Sequence, residues 1–165
     1  MRKYTGFNGV AAGPAPAMVR LTEYAEFLTG NGLGNNGIYG NRPMRGKKST
    51  SVHATGRAAD WSWRKMPETK TRPERGFGEY DPAKAFIDTL IEFQELFLLE
   101  AVLDYHGEPY GQGWRCDRDA WQQYDRKTIA GAPGGDWFHI EISPRRANDP
   151  TYIDKAFEHI FSLLA

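Results

Sequence analysis

The sequence predicts an α+β fold in which about three helices flank a small, mainly antiparallel sheet. Three stretches repeat their apolar residues at helical spacing, and shorter stretches alternate apolar and polar residues as half-buried strands do. The chain of 165 residues, read as one domain spanning 1–165, is large enough to bury a core without disulfide staples. Hydrophobic residues make up 40% of it, which is ordinary for a globular domain.

Each predicted helix has a start or stop signal beside its apolar stripe. The first runs from about Pro16 to Thr29, where Gly30 ends it. The second begins at Asp81-Pro82 and the third at Asp149-Pro150, because aspartate caps a helix N-terminus and proline suits the first helical position. We expect the buried stripes to be Met18, Leu21, Ala25 and Leu28, then Phe86, Leu90, Phe93 and Phe97, and finally Ile153, Phe157, Ile160 and Leu164.

The segment after Gly56 is predicted to be a strand whose two faces differ in polarity. Asp60 lies on the side away from Trp61 and Trp63, since side chains alternate along a strand. His53 is seven residues before Asp60, an odd offset that would place it on the opposite face of one straight strand. The chain must therefore bend between the two residues, and Gly56 can adopt the backbone angles of a bend.

A second strand near the C-terminus alternates in the same way. His139 and Glu141 share its polar side with Trp137 and Ser143, and the apolar side consists of Phe138, Ile140 and Ile142. Residues Ala101–Tyr105 and Trp114–Cys116 are further predicted strands. The polar segment Arg64–Tyr80 is predicted to be a long loop that forms either a wall of a cleft or a disordered excursion.

His53, Asp60 and His139 together offer two nitrogens and one oxygen, a ligand set suited to one catalytic zinc. Three protein ligands leave a fourth position open for water, which distinguishes a catalytic zinc site from a closed structural one. The alternative is that these are unrelated surface or core residues. The strand patterns favour the metal site, because both Asp60 and His139 fall on polar strand faces.

Residues Ser51–Asp60 match the pattern S-x-H-x-x-G-x-A-x-D at all five fixed positions. The pattern resembles zinc D-alanyl-D-alanine carboxypeptidases and L-alanyl-D-glutamate endopeptidases, which cleave peptides of bacterial peptidoglycan and include bacteriophage endolysins. The Hedgehog signalling domain shares the zinc-site pattern. A shorter likeness covers Asp136–Glu141, and a looser one covers Gly37–Gly46. The resemblance implies one Zn²⁺ ion and hydrolysis of an amide bond in a stem peptide or cross-bridge.

Two residues are candidates for the general base of this site. The family places a glutamate three residues before the last histidine, and here that position is Asp136, one methylene shorter. Gly134 and Gly135 precede it and allow the backbone to move closer. Glu141 competes for the role because it shares a strand face with His139, and otherwise it is a partner of that histidine or a surface charge. We favour Asp136 because reach is the first requirement of a general base.

The family also implies an arginine that binds a substrate carboxylate or the oxyanion. Arg42 is the first candidate and Arg45 the second, since a guanidinium matches a carboxylate bidentately. The alternative is a solvated basic loop that continues into Lys47 and Lys48. As substrate-binding candidates we add Ser51, which otherwise orients a ligand or the loop, and Trp137, which lines a groove or simply packs.

Other features narrow the possible functions. The formal net charge is zero, which argues against nucleic acid or anionic membrane as a partner. No stretch approaches the roughly 20 apolar residues of a membrane span. The N-terminal residues lack the apolar core of a signal peptide, so we expect a protein that stays cytoplasmic until it is released to the cell wall. We also expect a monomer. His106 and His159 are predicted to be structural or exposed, and the single Cys116 cannot form an intrachain disulfide.

These patterns predict a zinc-dependent peptidoglycan peptidase, with an endopeptidase favoured over a carboxypeptidase that trims terminal D-Ala. Two alternatives stay open. One is a non-catalytic, zinc-stabilised wall-binding module of the same fold, which the replacement of glutamate by Asp136 keeps possible. The other is a metallohydrolase that acts on a different amide.

Overall fold

A six-stranded antiparallel sheet forms the middle of the fold in the computed structural model, which describes residues 1–165. The spatial order of the strands is β1-β2-β6-β3-β4-β5. Strand β6 comes last in sequence but lies between β2 and β3. The two predicted site strands are therefore neighbours. The strands are β1 (Gly34–Gly37), β2 (Ala58–Ser62), β3 (Leu99–Asp104), β4 (Gln112–Arg115), β5 (Ala120–Gln123) and β6 (Trp137–Ile142).

Helices cover one face of this sheet, which confirms the predicted α+β class. They are α1 (Pro16–Leu28), α2 (Tyr80–Glu92), the single turn α3 (Gln94–Phe97) and α4 (Thr151–Leu164). Their apolar stripes pack on the apolar side of β2 and β6, where Trp61 and Phe138 are fully buried. The opposite side of these strands carries Asp60, His139 and Glu141, and we call it the open face of the sheet.

The three predicted long helices are present, the single-turn helix α3 was not predicted, and some details of the predictions are wrong. Leu28 and Leu164 are exposed, because each lies at the last turn of its helix beyond the edge of the core. The predicted second helix breaks at Phe93 instead of continuing to Phe97. The break turns Phe97 into the core, where its ring centre lies 4.9 Å from that of Phe157. Phe86 and Phe93 are only partly buried.

The predicted helix starts also shifted. Asp81 does not cap α2 and instead lies in its first turn, where a negative charge suits the helix dipole. Asp149 does act as a cap, because its Oδ1 accepts a hydrogen bond of 3.0 Å from the backbone nitrogen of Thr151. Helix α4 therefore begins at Thr151, within one or two residues of the predicted start at Asp149-Pro150, and helix ends are commonly defined no more closely than this.

Strands β1 and β5 were missed because neither carries a typical strand sequence. Strand β1 is Gly-Asn-Asn-Gly and lies at the sheet edge, and β5 at the other edge has only one aromatic residue in four. The segment predicted as a loop at 64–80 has no helix or strand before Tyr80, where α2 begins, but part of it is paired with itself. Antiparallel backbone hydrogen bonds join Met66 to Arg75 and Thr69 to Arg72, so a hairpin extends from the end of β2.

The first fifteen residues form no helix or strand, and they run from a contact with Gln94 in α3, past Glu141 on the open face, to Ala15 in the core. We call residues 2–15 the N-terminal strap. The buried guanidinium of Arg57 holds it by donating to the carbonyl of Gly6 at 2.5 Å and to Asn8 at 3.0 Å, while also donating to the Ile142 carbonyl in β6. The backbone nitrogen of Ala15 donates to the Gly56 carbonyl at 2.9 Å. The strap is thereby fixed to β2 and β6.

Candidate metal centre

His53, Asp60 and His139 come together through one turn and one strand pair. His53 lies in a single 3₁₀ turn, Val52–Thr55, that precedes β2. Gly56 follows with a φ of 72°, the left-handed conformation predicted for the bend. Asp60 in β2 is the direct antiparallel partner of His139 in β6. The bend therefore returns His53 to the face that Asp60 and His139 already share.

The facing side-chain atoms of the three residues have the spacing of ligands around one ion. His139 Nδ1 lies 3.1 Å from His53 Nε2 and 3.0 Å from Asp60 Oδ1, and His53 Nε2 lies 3.2 Å from Asp60 Oδ2. Metal–ligand bonds of about 2.1 Å place neighbouring ligands about 3.4 Å apart in a tetrahedron and about 3.0 Å apart in an octahedron. The cluster could therefore hold a metal ion.

The outer nitrogen of each histidine has a fixed partner. His53 Nδ1 lies 3.0 Å from the carbonyl oxygen of Ile38, and His139 Nε2 lies 2.9 Å from Glu141 Oε1. Both partners are acceptors, so both outer nitrogens donate. When each ring carries a single proton, the lone pairs of His53 Nε2 and His139 Nδ1 face the centre, as in metal sites where a carboxylate or carbonyl orients the ligand.

The charges of the cluster explain its altered pKa values. Burial alone would raise the pKa of Asp60, but hydrogen bonds from His139 and His53 outweigh it and hold that pKa well below its usual range. Burial alone would lower the pKa of His139, but Asp60 and Glu141 raise it to about 10. Two carboxylates in a buried place need a positive charge nearby. A second proton on His139 would supply this positive charge, and a bound divalent cation would supply it equally.

Asp136, the residue before β6, is paired with an arginine that sequence reasoning missed. Arg64 Nε and Nη2 donate to its two carboxylate oxygens at 2.6 and 3.0 Å. Ser62, two residues after Asp60 on the same face of β2, has its Oγ 3.5 Å from Asp136 Oδ1. This contact places the Asp136 carboxylate on the open face, about one strand repeat from Asp60.

Glu141 is placed differently from Asp136. Its side chain is buried, with one oxygen on His139 and the other accepting a hydrogen bond of 2.9 Å from the Tyr4 hydroxyl. Burial would raise its pKa, but the hydrogen bond and charge of His139 dominate and lower it. The Glu141 carboxylate is thus ionised and fully engaged in orienting His139.

An aromatic pair borders the centre. Trp137 stacks on Tyr105 with ring centres 4.5 Å apart, and both residues project from the open face next to the His139 row. Close packing of Gly135 against both side chains leaves no room there for a Cβ atom. Burial first, and then the negative charge of Asp60, raise the pKa of Tyr105, which stays a hydrogen-bond donor. Tyr105 ended a predicted strand, so its position by the site could have been inferred from register.

The remaining predicted residues lie around this centre in different ways. Arg42 and Arg45 are exposed on the loop between β1 and His53, and their guanidinium groups have no hydrogen-bonded or ionic partner. Ser51 Oγ accepts from the backbone nitrogen of His53 at 3.3 Å, so it orients the turn that carries this ligand. His106 stacks on Tyr80 away from the cluster.

The chain matches no protein-family model, no curated protein and no solved structure. None of its helices combines the length and hydrophobicity that crossing a bilayer requires. Functional interpretation therefore depends on the geometry of the cluster and on the local motifs.

Proposed function

We propose that this protein is a zinc-dependent peptidase that hydrolyses an amide bond in the stem peptide or cross-bridge of peptidoglycan. The observation that carries the proposal is the cluster of His53, Asp60 and His139, whose facing atoms lie 3.0–3.2 Å apart. The outer nitrogen of each histidine also lies within hydrogen-bond distance of an acceptor oxygen. The Ser51–Asp60 pattern, which resembles zinc D,D-carboxypeptidases and L-alanyl-D-glutamate endopeptidases, supports zinc and this substrate.

The donor set and its exposure suit a catalytic ion. Two imidazole nitrogens and a carboxylate oxygen match zinc, and the Asp60 side chain remains 22% exposed, so the fourth side of the cluster faces solvent. When bound, zinc would act as a Lewis acid that lowers the pKa of a coordinated water to about 7 and polarises a carbonyl. His53 and His139 are neutral ligands in that state, which requires His139 to release its proton.

Asp136 is the residue we assign as general base. It would accept a proton from the attacking water and return it to the amine as the carbon–nitrogen bond breaks. Its carboxylate is partly exposed on the open face, whereas Glu141 is buried with both oxygens engaged. A general base must be able to reach its proton, and this condition favours Asp136. Arg64 would hold the Asp136 carboxylate in place through its two hydrogen bonds.

The surroundings of the centre fit an extended peptide better than a small molecule. The Trp137–Tyr105 pair offers an apolar wall on one side, and Arg42 and Arg45 offer exposed guanidinium groups for a substrate carboxylate on another loop. Within this activity we keep an endopeptidase of the endolysin type as the favoured form over a carboxypeptidase that removes terminal D-Ala.

Mass spectrometry of purified peptidoglycan tests this function. The protein is incubated with the wall as purified, after chelation, and after zinc is added back. We expect chelator-sensitive release of peptides whose new termini identify the cleaved bond. Asp136→Asn should retain zinc and lose hydrolysis by at least about a hundredfold, the usual effect of removing a general base. Full activity in zinc-loaded Asp136→Asn would exclude this assignment.

A second function is favoured by one observation. Both oxygens of Asp136 are bound by Arg64, so this aspartate resembles a structural ion-pair partner as much as a base. A non-catalytic wall-binding module stabilised by zinc would have such a site. Intact peptidoglycan that co-sediments with zinc-loaded protein would support this module and exclude the peptidase.

A further inference from the structure

The contacts of Tyr4 connect the N-terminal strap to the metal centre. The Tyr4 hydroxyl donates to Glu141 Oε2 at 2.9 Å, and Glu141 Oε1 accepts from His139 Nε2 at 2.9 Å. The other nitrogen of His139 is the one that faces Asp60 and His53. A continuous hydrogen-bonded chain therefore runs from the strap to a ligand atom.

The strap holds the Tyr4 ring firmly in this position. The Arg115 guanidinium lies 4.5 Å from the centre of the ring, and Gly6 adopts a φ of 62° close beneath it, where a Cβ atom would come within 3.1 Å of the ring. The neighbouring Thr5 is bound separately, with its hydroxyl donating to Glu100 at 2.7 Å. The phenol is thus held by contacts that do not involve the centre itself.

Glu141 needs a second donor for a physical reason. A buried carboxylate with one unpaired oxygen is unfavourable, and it can rotate to share both oxygens with its remaining partner. With Tyr4 on one oxygen, the other stays aligned with His139 Nε2. This alignment fixes both the tautomer and the orientation of the imidazole, two properties that outer residues control in metal sites.

We infer that Tyr4 is a positioning residue of the metal centre, which acts through Glu141 to set the metal affinity of His139. The N-terminal strap is then part of the site although no strap residue binds the metal. The inference depends on the metal centre of the proposed function and does not depend on peptidase activity.

Zinc affinity of the full chain, measured by competition with a chromophoric chelator, tests this role. Tyr4→Phe keeps the ring and removes the hydroxyl, and we expect at least about a tenfold loss of affinity. Thr5→Val is the matched control, because it removes an adjacent strap hydroxyl from a buried carboxylate that does not contact His139. It should bind zinc within about twofold of the wild type. In the cobalt-substituted protein, Tyr4→Phe should also change the visible absorption bands, which report ligand geometry.

Four outcomes distinguish the possibilities. Wild-type affinity in Tyr4→Phe would overturn the inference, and so would an equal loss in Thr5→Val, which would show that the strap acts only on stability. If Tyr4→Phe does not fold, Glu141→Gln interrupts the same chain at its middle, and wild-type affinity there would overturn the inference too. Zinc binding that follows these expectations without any peptidoglycan hydrolysis would disprove the peptidase and leave the role of Tyr4 intact.

Discussion

Replacing Gly56 by alanine should destabilise the protein through two separable effects. Gly56 has a φ of 72°, and an L-residue in this left-handed region costs about 1–2 kcal/mol. An added Cβ would also collide with the carbonyl oxygen of Gly13 and lie 2.8 Å from the backbone nitrogen of Ala15. Since both obstacles are backbone atoms of the strap, the collision can be relieved only by moving the chain.

The size of the second effect follows from a matched position. Gly46 has a φ of 76°, and a Cβ built there meets nothing within 4 Å. Gly46→Ala should therefore cost only the conformational term of about 1–2 kcal/mol, less the small gain from a stiffer unfolded chain. Gly56→Ala carries the same terms and an overpacking penalty of about 1–3 kcal/mol. We expect a total loss of roughly 2–5 kcal/mol at Gly56.

Urea unfolding in the presence of a chelator measures both variants without a contribution from bound metal. Chelator-free titration with zinc should then show weaker binding in Gly56→Ala alone, because the turn that carries His53 ends at this glycine. Equal losses of stability in the two variants, within about 0.5 kcal/mol, would refute the argument that the strap backbone restricts position 56.

Three further predictions concern charged residues. Arg57→Ala should lower the free energy of unfolding in urea by about 3–5 kcal/mol, because it leaves the buried Glu100 without its cation at 3.7 Å. Arg64→Ala removes a mostly exposed side chain and should lower the free energy of unfolding by about 1 kcal/mol or less. The kcat/KM for hydrolysis of an anionic wall peptide should fall roughly threefold or more between low and high salt, because residues 42–48 carry four basic and no acidic side chains. An unchanged kcat/KM would show that this loop does not attract the substrate. Hydrogen bonds from Thr151, and then from Arg146, lower the pKa of Asp149 to about 2. The stabilising contribution of the Asp149 carboxylate is therefore present above about pH 4 and is lost as the pH falls towards 2. In thermal unfolding, the difference in stability between the wild type and Asp149→Asn should shrink over that interval.

Local sequence was sufficient to predict which residues form the metal cluster. The Ser51–Asp60 motif contains two ligands and the glycine that lets them share a face, and strand alternation alone placed His139 on a polar side. These are short-range properties of the backbone. The same reasoning predicted the three long helices, whose interior stripes are buried as expected around Leu21, Leu90 and Ile153.

Features that depend on contacts distant in sequence could not be predicted in this way. Strand β1 exists because Gly34–Gly37 pairs with β2, and its own residues have little strand propensity. Arg64 pairs with Asp136, 72 residues later, and Tyr4 reaches Glu141, 137 residues later. No local sequence pattern predicts either of these two long-range contacts. The helix break at Phe93 likewise reflects the core that Phe97 enters, which lies partly in α4.

The position of β6 explains why the residues of the site could be predicted from local sequence while the contacts between them could not. Asp60 and His139 are 79 residues apart, and they meet only when the last strand inserts between β2 and β3. Each ligand is specified locally, but the distances between ligands, and every polar group that orients them, are products of this one long-range pairing. Insertion of β6 also brings Glu141 to the strap and Ile142 to Arg57. The position of this one strand therefore supports both the candidate metal centre and the attachment of the N-terminus, and it is the structural reason that a residue as remote as Tyr4 reaches the carboxylate bound to His139.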